Sequence, residues 1–336
     1  MGKVAWLLLI ACTLASCGRG KVRTDEYTAM PRSTGAVMEI VAVVDSGLYS
    51  EQVKEALFRH LSPVVTGLPQ KERRARLYVI PRSSFSRTYQ SMRNLVLVER
   101  SDSLSGMTTA QDVYAAPQIV FSIKAPNAQV AKEQIDLSGD FMFHTIRQNA
   151  IEALQERFAR ITNKKLKAIP AMGIDICIPN YYHVVRSEKD FIWLTMDITK
   201  NGIKGTANIL LYRTDSLGTG EDAVALRNSI TKKYIPGPAE GSYMAVENTA
   251  VLPQQETAVL SGLPATFTYG YWRTEGDYMG GPFINYTIVD PEDRVAYSAD
   301  GFVYLPFEEK GGYTLELEAI LRTFDIPALS QKEEKK

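Results

Sequence analysis

Cysteine is nearly missing from this chain: there are three in 336 residues, at positions 12, 17 and 177. So small a number excludes a disulfide framework, and no CxxC pair is present to hold a metal. Histidine is equally scarce. His60, His144 and His183 lie far apart with no partner at ligand spacing, so no metal site is expected. Neither sign of charge is in excess, with 38 basic against 38 acidic residues, which removes the electrostatic footprint of a nucleic-acid binder. The opening apolar run, Val4 to Leu14, falls short of the about 20 residues that span a hydrocarbon core. HExxH, a nucleophile elbow and a phosphate-binding glycine loop are absent too, so no cofactor is implied. Such absences lower the odds of an enzyme without excluding one, since carboxylate pairs leave no mark in a single sequence.

What the opening does contain is ordered. Lys3 supplies a short basic start, the apolar run follows, and Ala15 and Ser16 are small residues of the kind a signal peptidase needs before its cut. Leu14, Ala15, Ser16 and Cys17 then resemble the lipobox of bacterial lipoproteins, in which the cysteine thiol takes a diacylglyceryl group and becomes the new amino terminus. The resemblance implies a signal peptide over 1–16, palmitate-type acylation at Cys17, and a polar tether over 17–34. The partner so implied is a membrane, reached through the lipid. Gly18 in place of aspartate implies delivery to an outer membrane, and the lack of an acidic run after Cys17 favours the periplasmic side.

The remainder has the composition of a folded protein, 45% hydrophobic and 23% charged. "VMEIVAVVD" reads as a strand, Ser50 as an N-cap, and "EQVKEALFRHL" as a helix with Val53, Leu57, Phe58 and Leu61 on one face. "RLYVIP", "NLVLVE" and "PQIVFSIK" read as strands, and a helix is predicted from about Asp140 to Ile161. "TNKKLKAIPAMG" marks a boundary, giving an N-terminal domain over 35–165 and a C-terminal one over 170–328. In the second part "IDICI", "DFIWLTMD", "TANILLY", "SYMAV", "ETAVL", "ATFTYGYWR", "FINYTIV" and "RVAYSADGFVYL" read as strands, several alternating apolar with polar. Helices fall near "EDAVALRNSITKKY" and over "GYTLELEAILRTF", and 329–336 is expected to fray. The fold class is α+β, in two halves, each a mainly antiparallel sheet covered by helices.

The lipobox start together with "SSFSRTYQSMRNLVLVE", "PQIVFSIKAP", "DFIWLT", "YIPGPAEGSYM" and "DYMGGPFINYTIVD…GFVYLP" resembles a family of Bacteroidetes lipoproteins known as a domain of unknown function. The resemblance implies no activity. By element order the second half is similar to a PsbP-like α/β sandwich.

Five features bear on chemistry. "SITK" puts Ser229 one helical turn before Lys232, as penicillin-binding enzymes do, but the accompanying lysine and serine motifs are missing. "DSGLYS" places Gly47 and Tyr49 where a metal-adhesion motif after Asp45 needs serines. Cys177, alternating with Ile174, Ile176 and Ile178, reads as a small buried hydrophobe. In "YGYWRTEGDYMGGPF", Tyr271, Trp272, Arg273, Tyr278 and Phe283 form either a binding loop for a peptide, glycan or envelope protein, or core aromatics around a turn that Gly280 and Gly281 make with positive φ. "DSL" at 102–104 and 215–217 resembles a periplasmic O-glycosylation acceptor, which implies Ser103 and Ser216. The reading is a lipid-anchored binding or assembly module. The alternative, an envelope hydrolase, requires acids, Ser229 or a histidine gathered in one pocket.

Overall fold

A computed structural model describes residues 30–64, 72–214, 223–290 and 292–333. Cys17 and Ser216 lie outside the described residues. Among the described residues no helix is long and apolar enough to cross a membrane.

In the first half β1 (Glu39–Val44) leads through α1 (Glu51–Leu61) to β2 (Arg76–Pro81), and then through a one-turn α2 (Arg87–Gln90) to β3 (Asn94–Arg100). A hairpin-like pair, β4 (Gly106–Gln111) and β5 (Ile119–Ala125), completes five strands in the order β2-β1-β3-β5-β4. The α+β class holds, but this sheet is not mainly antiparallel: β1 pairs parallel with β2 and β3, and β3 pairs parallel with β5. Only β4 runs antiparallel to its neighbour. The reason lies in β1, which is buried on both faces. Ile40, Ala42 and Val44 pack with α1 residues such as Leu57, and Val41 and Val43 pack beneath Phe85, Tyr89 and Tyr114. A strand covered on both sides reads as an unbroken apolar run, and a helix that returns the chain to the same edge makes its neighbour parallel.

The longest element is α3 (Ala128–Arg160), 33 residues. It begins well before the expected Asp140, because Asn127 caps it by accepting from the Val130 N–H at 3.0 Å. Gly139 interrupts its apolar stripe for a packing reason: a Cβ there would stand 2.5 Å from the His60 Cβ of α1. Its Ala131, Ile135, Met142 and Ile146 belong to the first core, while Ile151, Leu154 and Phe158 belong to the second.

The second half opens with a one-turn α4 (Ala168–Ala171), then β6 (His183–Glu188), β7 (Phe191–Lys200), β8 (Ile203–Thr214) and α5 (Ala223–Tyr234). It continues with β9 (Tyr243–Val246), β10 (Gln254–Leu260), β11 (Leu263–Glu275), β12 (Gly280–Asp290) and β13 (Val295–Tyr304), then α6 (Gly311–Leu321) and α7 (Pro327–Glu333). The order is β10-β11-β12-β13-β8-β7-β6 with β9 on β11, antiparallel throughout. The C-terminal turns of α3 and the apolar side of α6 cover one face, and α5 covers the other. The "IDICI" segment forms no strand. It lies extended, with a single bridge from Asp175 to Asp325, and Cys177, partly buried, has its Sγ 2.9 Å from Thr162 Oγ1. Much of the tail expected to fray is the short helix α7.

Beneath α5 sits a fully buried ion pair. Arg227 donates to Asp300 from Nε at 2.6 Å and from Nη2 at 3.1 Å, and its guanidinium lies 3.9 Å over the Phe283 ring. Asn285 Nδ2 donates to the same carboxylate at 3.2 Å and to Tyr212 Oη at 3.0 Å.

Candidate functional site

A cleft of about 1970 Å³ opens between the two halves, with β10–β12 as one wall and α3, α6 and residues 73–77 as the other. Period-2 alternation builds the first wall. Phe267, Tyr269 and Tyr271 leave β11 on the same face. Phe267 is sandwiched, its ring 4.6 Å from Tyr286 and 5.2 Å from Tyr269. The Tyr269 hydroxyl donates to Glu256 at 2.9 Å.

Helical period 3.6 builds the opposite wall, bringing His144, Arg147 and Gln148 of α3 to the cleft beside Glu318 of α6 and Arg322, the residue that follows α6. Glu318 is 3% exposed and serves two guanidinium groups: Arg147 Nη2 donates to it, and Arg322 Nη2 lies 3.0 Å away. Arg322 is held further, donating from Nε to Tyr286 Oη at 3.3 Å and from Nη1 to Gln148 at 3.0 Å. Burial, and then the Glu318 charge, push the Tyr286 hydroxyl up to about 12. One carboxylate between two arginines leaves the cluster with a net positive charge.

A second buried carboxylate joins the halves. Glu72 accepts from the backbone N–H groups of Lys310 at 2.8 Å and Gly311 at 3.1 Å, and the Lys310 ammonium lies 3.5 Å away. A residue of the first half thus caps the N-terminus of α6, where an anion is favoured by the unpaired amides and the helix dipole.

The five residues singled out in "YGYWRTEGDYMGGPF" are not brought together. Tyr271 and Phe283 both border the cleft, but Phe283 packs with Trp272 in the core on the α5 face, where the Trp272 indole donates to Val303 O at 3.2 Å. Tyr278 stands fully exposed in the β11–β12 turn. Arg273 lies 3.2 Å from Glu247 and 2.6 Å from Glu275. Gly280 and Gly281 do not have positive φ, and both belong to β12. Glycine is needed at 281 because a Cβ would sit 2.0 Å from the Val303 carbonyl oxygen.

The Glu247 carboxylate is held down to about 2 by the Thr249 hydroxyl, then by the Ala250 and Thr249 N–H groups, which bind its charged form. A carboxylate lowered in the folded state stabilises above its ordinary range and loses that contribution as pH falls from about 4.5 toward about 2. The Thr249 and Ala250 amide resonances are therefore expected to shift together near pH 2; a shared midpoint near 4.5 would refute the arrangement.

The remaining candidates have local partners. Ser229 Oγ donates to Leu226 O at 2.8 Å, while the Lys232 ammonium lies 4.8 Å over the Tyr243 ring. Asp45 accepts from the Arg100 N–H at 2.8 Å. His60 bridges Asp140 at 2.8 Å and Asp136 at 3.2 Å, fastening α1 to α3. His144 is exposed at the cleft, and His183 lies on β6. Ser103 is exposed in the β3–β4 turn beside Asp102. Among the described residues no group of His, Cys, Asp or Glu is placed to hold a metal. Of this cleft the sequence singled out Tyr271 and Phe283 but not Arg74, Arg147 and Glu318, since a lone charge on a helix or loop has no pattern that marks it.

No curated protein matches the chain. Among solved structures, LpqN of Mycobacterium tuberculosis, described as involved in cell envelope biogenesis, is similar over 44% of this chain and 79% of its own, at 15% identity and a TM-score of 0.26. A likeness of that degree carries no argument. Residues 33–159 match a family model described as a domain of unknown function (DUF8532), and residues 161–323 match another (DUF4837). The two matched stretches lie in tandem and together run from residue 33 to residue 323, apart from residue 160.

Proposed function

We propose that this protein is a lipid-anchored binding module of the bacterial cell envelope. Cys17 carries the lipid and residues 18–30 are the tether, a shorter one than the expected 17–34 because residues 31–34 are fastened to the first half by backbone hydrogen bonds to Ala116, Ser91 and Arg93. The cleft between the sheets is the ligand site, held on the periplasmic side of an outer membrane. The observation that carries the reading is the cleft itself, a large open space walled by an aromatic ladder and by arginines that share one carboxylate. Binding and orientation are what such walls do: the rings exclude water and the guanidinium groups donate to whatever lies between them. The anchor is supported by "LASC" at the end of an apolar run of signal length. Two or more acyl chains at about 0.8 kcal/mol per buried methylene hold a protein on its bilayer, where one does not.

The test has two arms. A photo-crosslinking residue at Tyr271 is expected to give an adduct in living cells that the same residue at Tyr78, exposed outside the cleft, does not give. Labelled palmitate is expected in the wild-type protein and not in Cys17→Ser. Identical adducts at both positions, or none, dispose of the cleft as the site; unlabelled wild-type protein disposes of the anchor.

A further inference from the structure

We infer that the cleft takes an acidic stretch of polypeptide in extended form; this rests on the reading of the cleft as the ligand site. Size is the first argument. Small-molecule sites occupy roughly 300–1,000 Å³, and about 1970 Å³ open along one side suits a segment of chain.

Charge is the second. Arg74 and Arg76 reach the cleft with no hydrogen-bond or ion-pair partner for their guanidinium groups among the described residues. Arg74 lines the same cleft as Phe267, Tyr269 and Tyr271, and its charge opposes the rise that burial gives the Tyr269 hydroxyl. Arg147 spends one nitrogen on Glu318, leaving Nε and Nη1 without a hydrogen-bond partner among the described residues. The cleft acids are engaged: Glu318 with its two arginines, Glu72 on α6, Glu316 with Arg157, Glu256 with Tyr269, and Glu39 with the Ala36 N–H. Glu309, which also lines the cleft, has no such side-chain partner among the described residues.

The aromatic geometry separates peptide from glycan. A pyranose packs its C–H face on an open ring face, and Phe267 has Tyr286 stacked on one side and Tyr269 on the other. Side chains stand roughly perpendicular to a sheet, so the stack turns its edges to the cleft, and ring edges carry the positive side of the aromatic quadrupole. Edges and guanidinium groups together favour carboxylates. An extended peptide also repeats its side chains at the ladder's own period, about 7 Å for every second residue.

The probes are a fluorescein-labelled decapeptide of alternating glutamate and valine, its glutamine counterpart, and an oligogalacturonate, each titrated by anisotropy or competition into the full mature protein in detergent. The glutamate peptide is expected to bind about tenfold or more tighter than the glutamine one, and to weaken as NaCl rises from roughly 50 to 300 mM. Arg74→Glu is expected to weaken it about tenfold again, while Arg87→Glu, an equal charge change on exposed α2 outside the cleft, leaves it unchanged. Equal affinity for the two peptides, indifference to Arg74→Glu, tighter binding of the oligogalacturonate, or no binding of the glutamate peptide at low salt overturns the inference. If Tyr271 still gives its adduct and the glutamate peptide does not compete with it, the cleft remains the ligand site and only the acidic-peptide assignment fails.

Discussion

Arg227→Met is expected to cost about 3–5 kcal/mol, read as a fall in the urea midpoint at unchanged slope. Arg227 and Asp300 are both fully buried, so deleting the guanidinium leaves a carboxylate with only Asn285 to answer it. The desolvation of that charge was already complete in the wild type, and its compensation is what the substitution removes. The double variant Arg227→Met with Asp300→Leu separates the pair's net worth from the penalty of an orphan. Replacing both members of a buried pair by apolar groups is often neutral or better, so the double variant is expected to recover all but about 1–2 kcal/mol. Asn285 keeps Tyr212 Oη as an acceptor in that variant. Equal losses in single and double variants would show that the pair holds the α5 face together by itself.

Glu72→Ala is expected to cost about 3 kcal/mol, because it removes two charge-assisted hydrogen bonds at a helix N-terminus and takes the carboxylate from the nearly buried Lys310 ammonium, which keeps its hydrogen bond to Glu308 O at 2.8 Å. Hydrogen exchange localises the effect: the Lys310 and Gly311 amides should exchange about a hundredfold faster, the equivalent of about 2.8 kcal/mol. Glu72→Gln retains an acceptor without the charge and is expected to lose about half as much. Because Glu72 and Tyr271 line the same cleft, the amides around Tyr271 should respond as well. If they stay silent while α6 frays, the cap stabilises one helix without setting the cleft.

The second sheet was legible because its strands alternate. "ATFTYGYWR" sends Phe267, Tyr269 and Tyr271 to one face and Trp272 to the other, which a period of two discloses without any partner. The parallel character of the first sheet was not legible as it was read. "VMEIVAVVD" followed by a helix carries the signature of a βαβ unit, but a continuous apolar run says only that both faces are covered and leaves direction to the returning chain. The early start of α3 was hidden by Ser138 and Gly139, which propensity penalises, although the crossing with His60 requires the glycine. The cleft was the least legible part. Arg74, Arg147 and Glu318 are far apart in sequence, each unremarkable on its own element, and only tertiary packing sets them around one space.

The division of α3 between two cores bears on how the chain emerges from a ribosome. A nascent chain stalled soon after residue 165 has all the strands of its first sheet, yet carries Ile151, Leu154 and Phe158 at the end of a helix whose remaining neighbours, Leu317, Ile320 and Leu321 among them, are still untranslated. That greasy handle lacks its α6 cover until residues 317–321 are made, so the nascent polypeptide is expected to need a holdase over that interval.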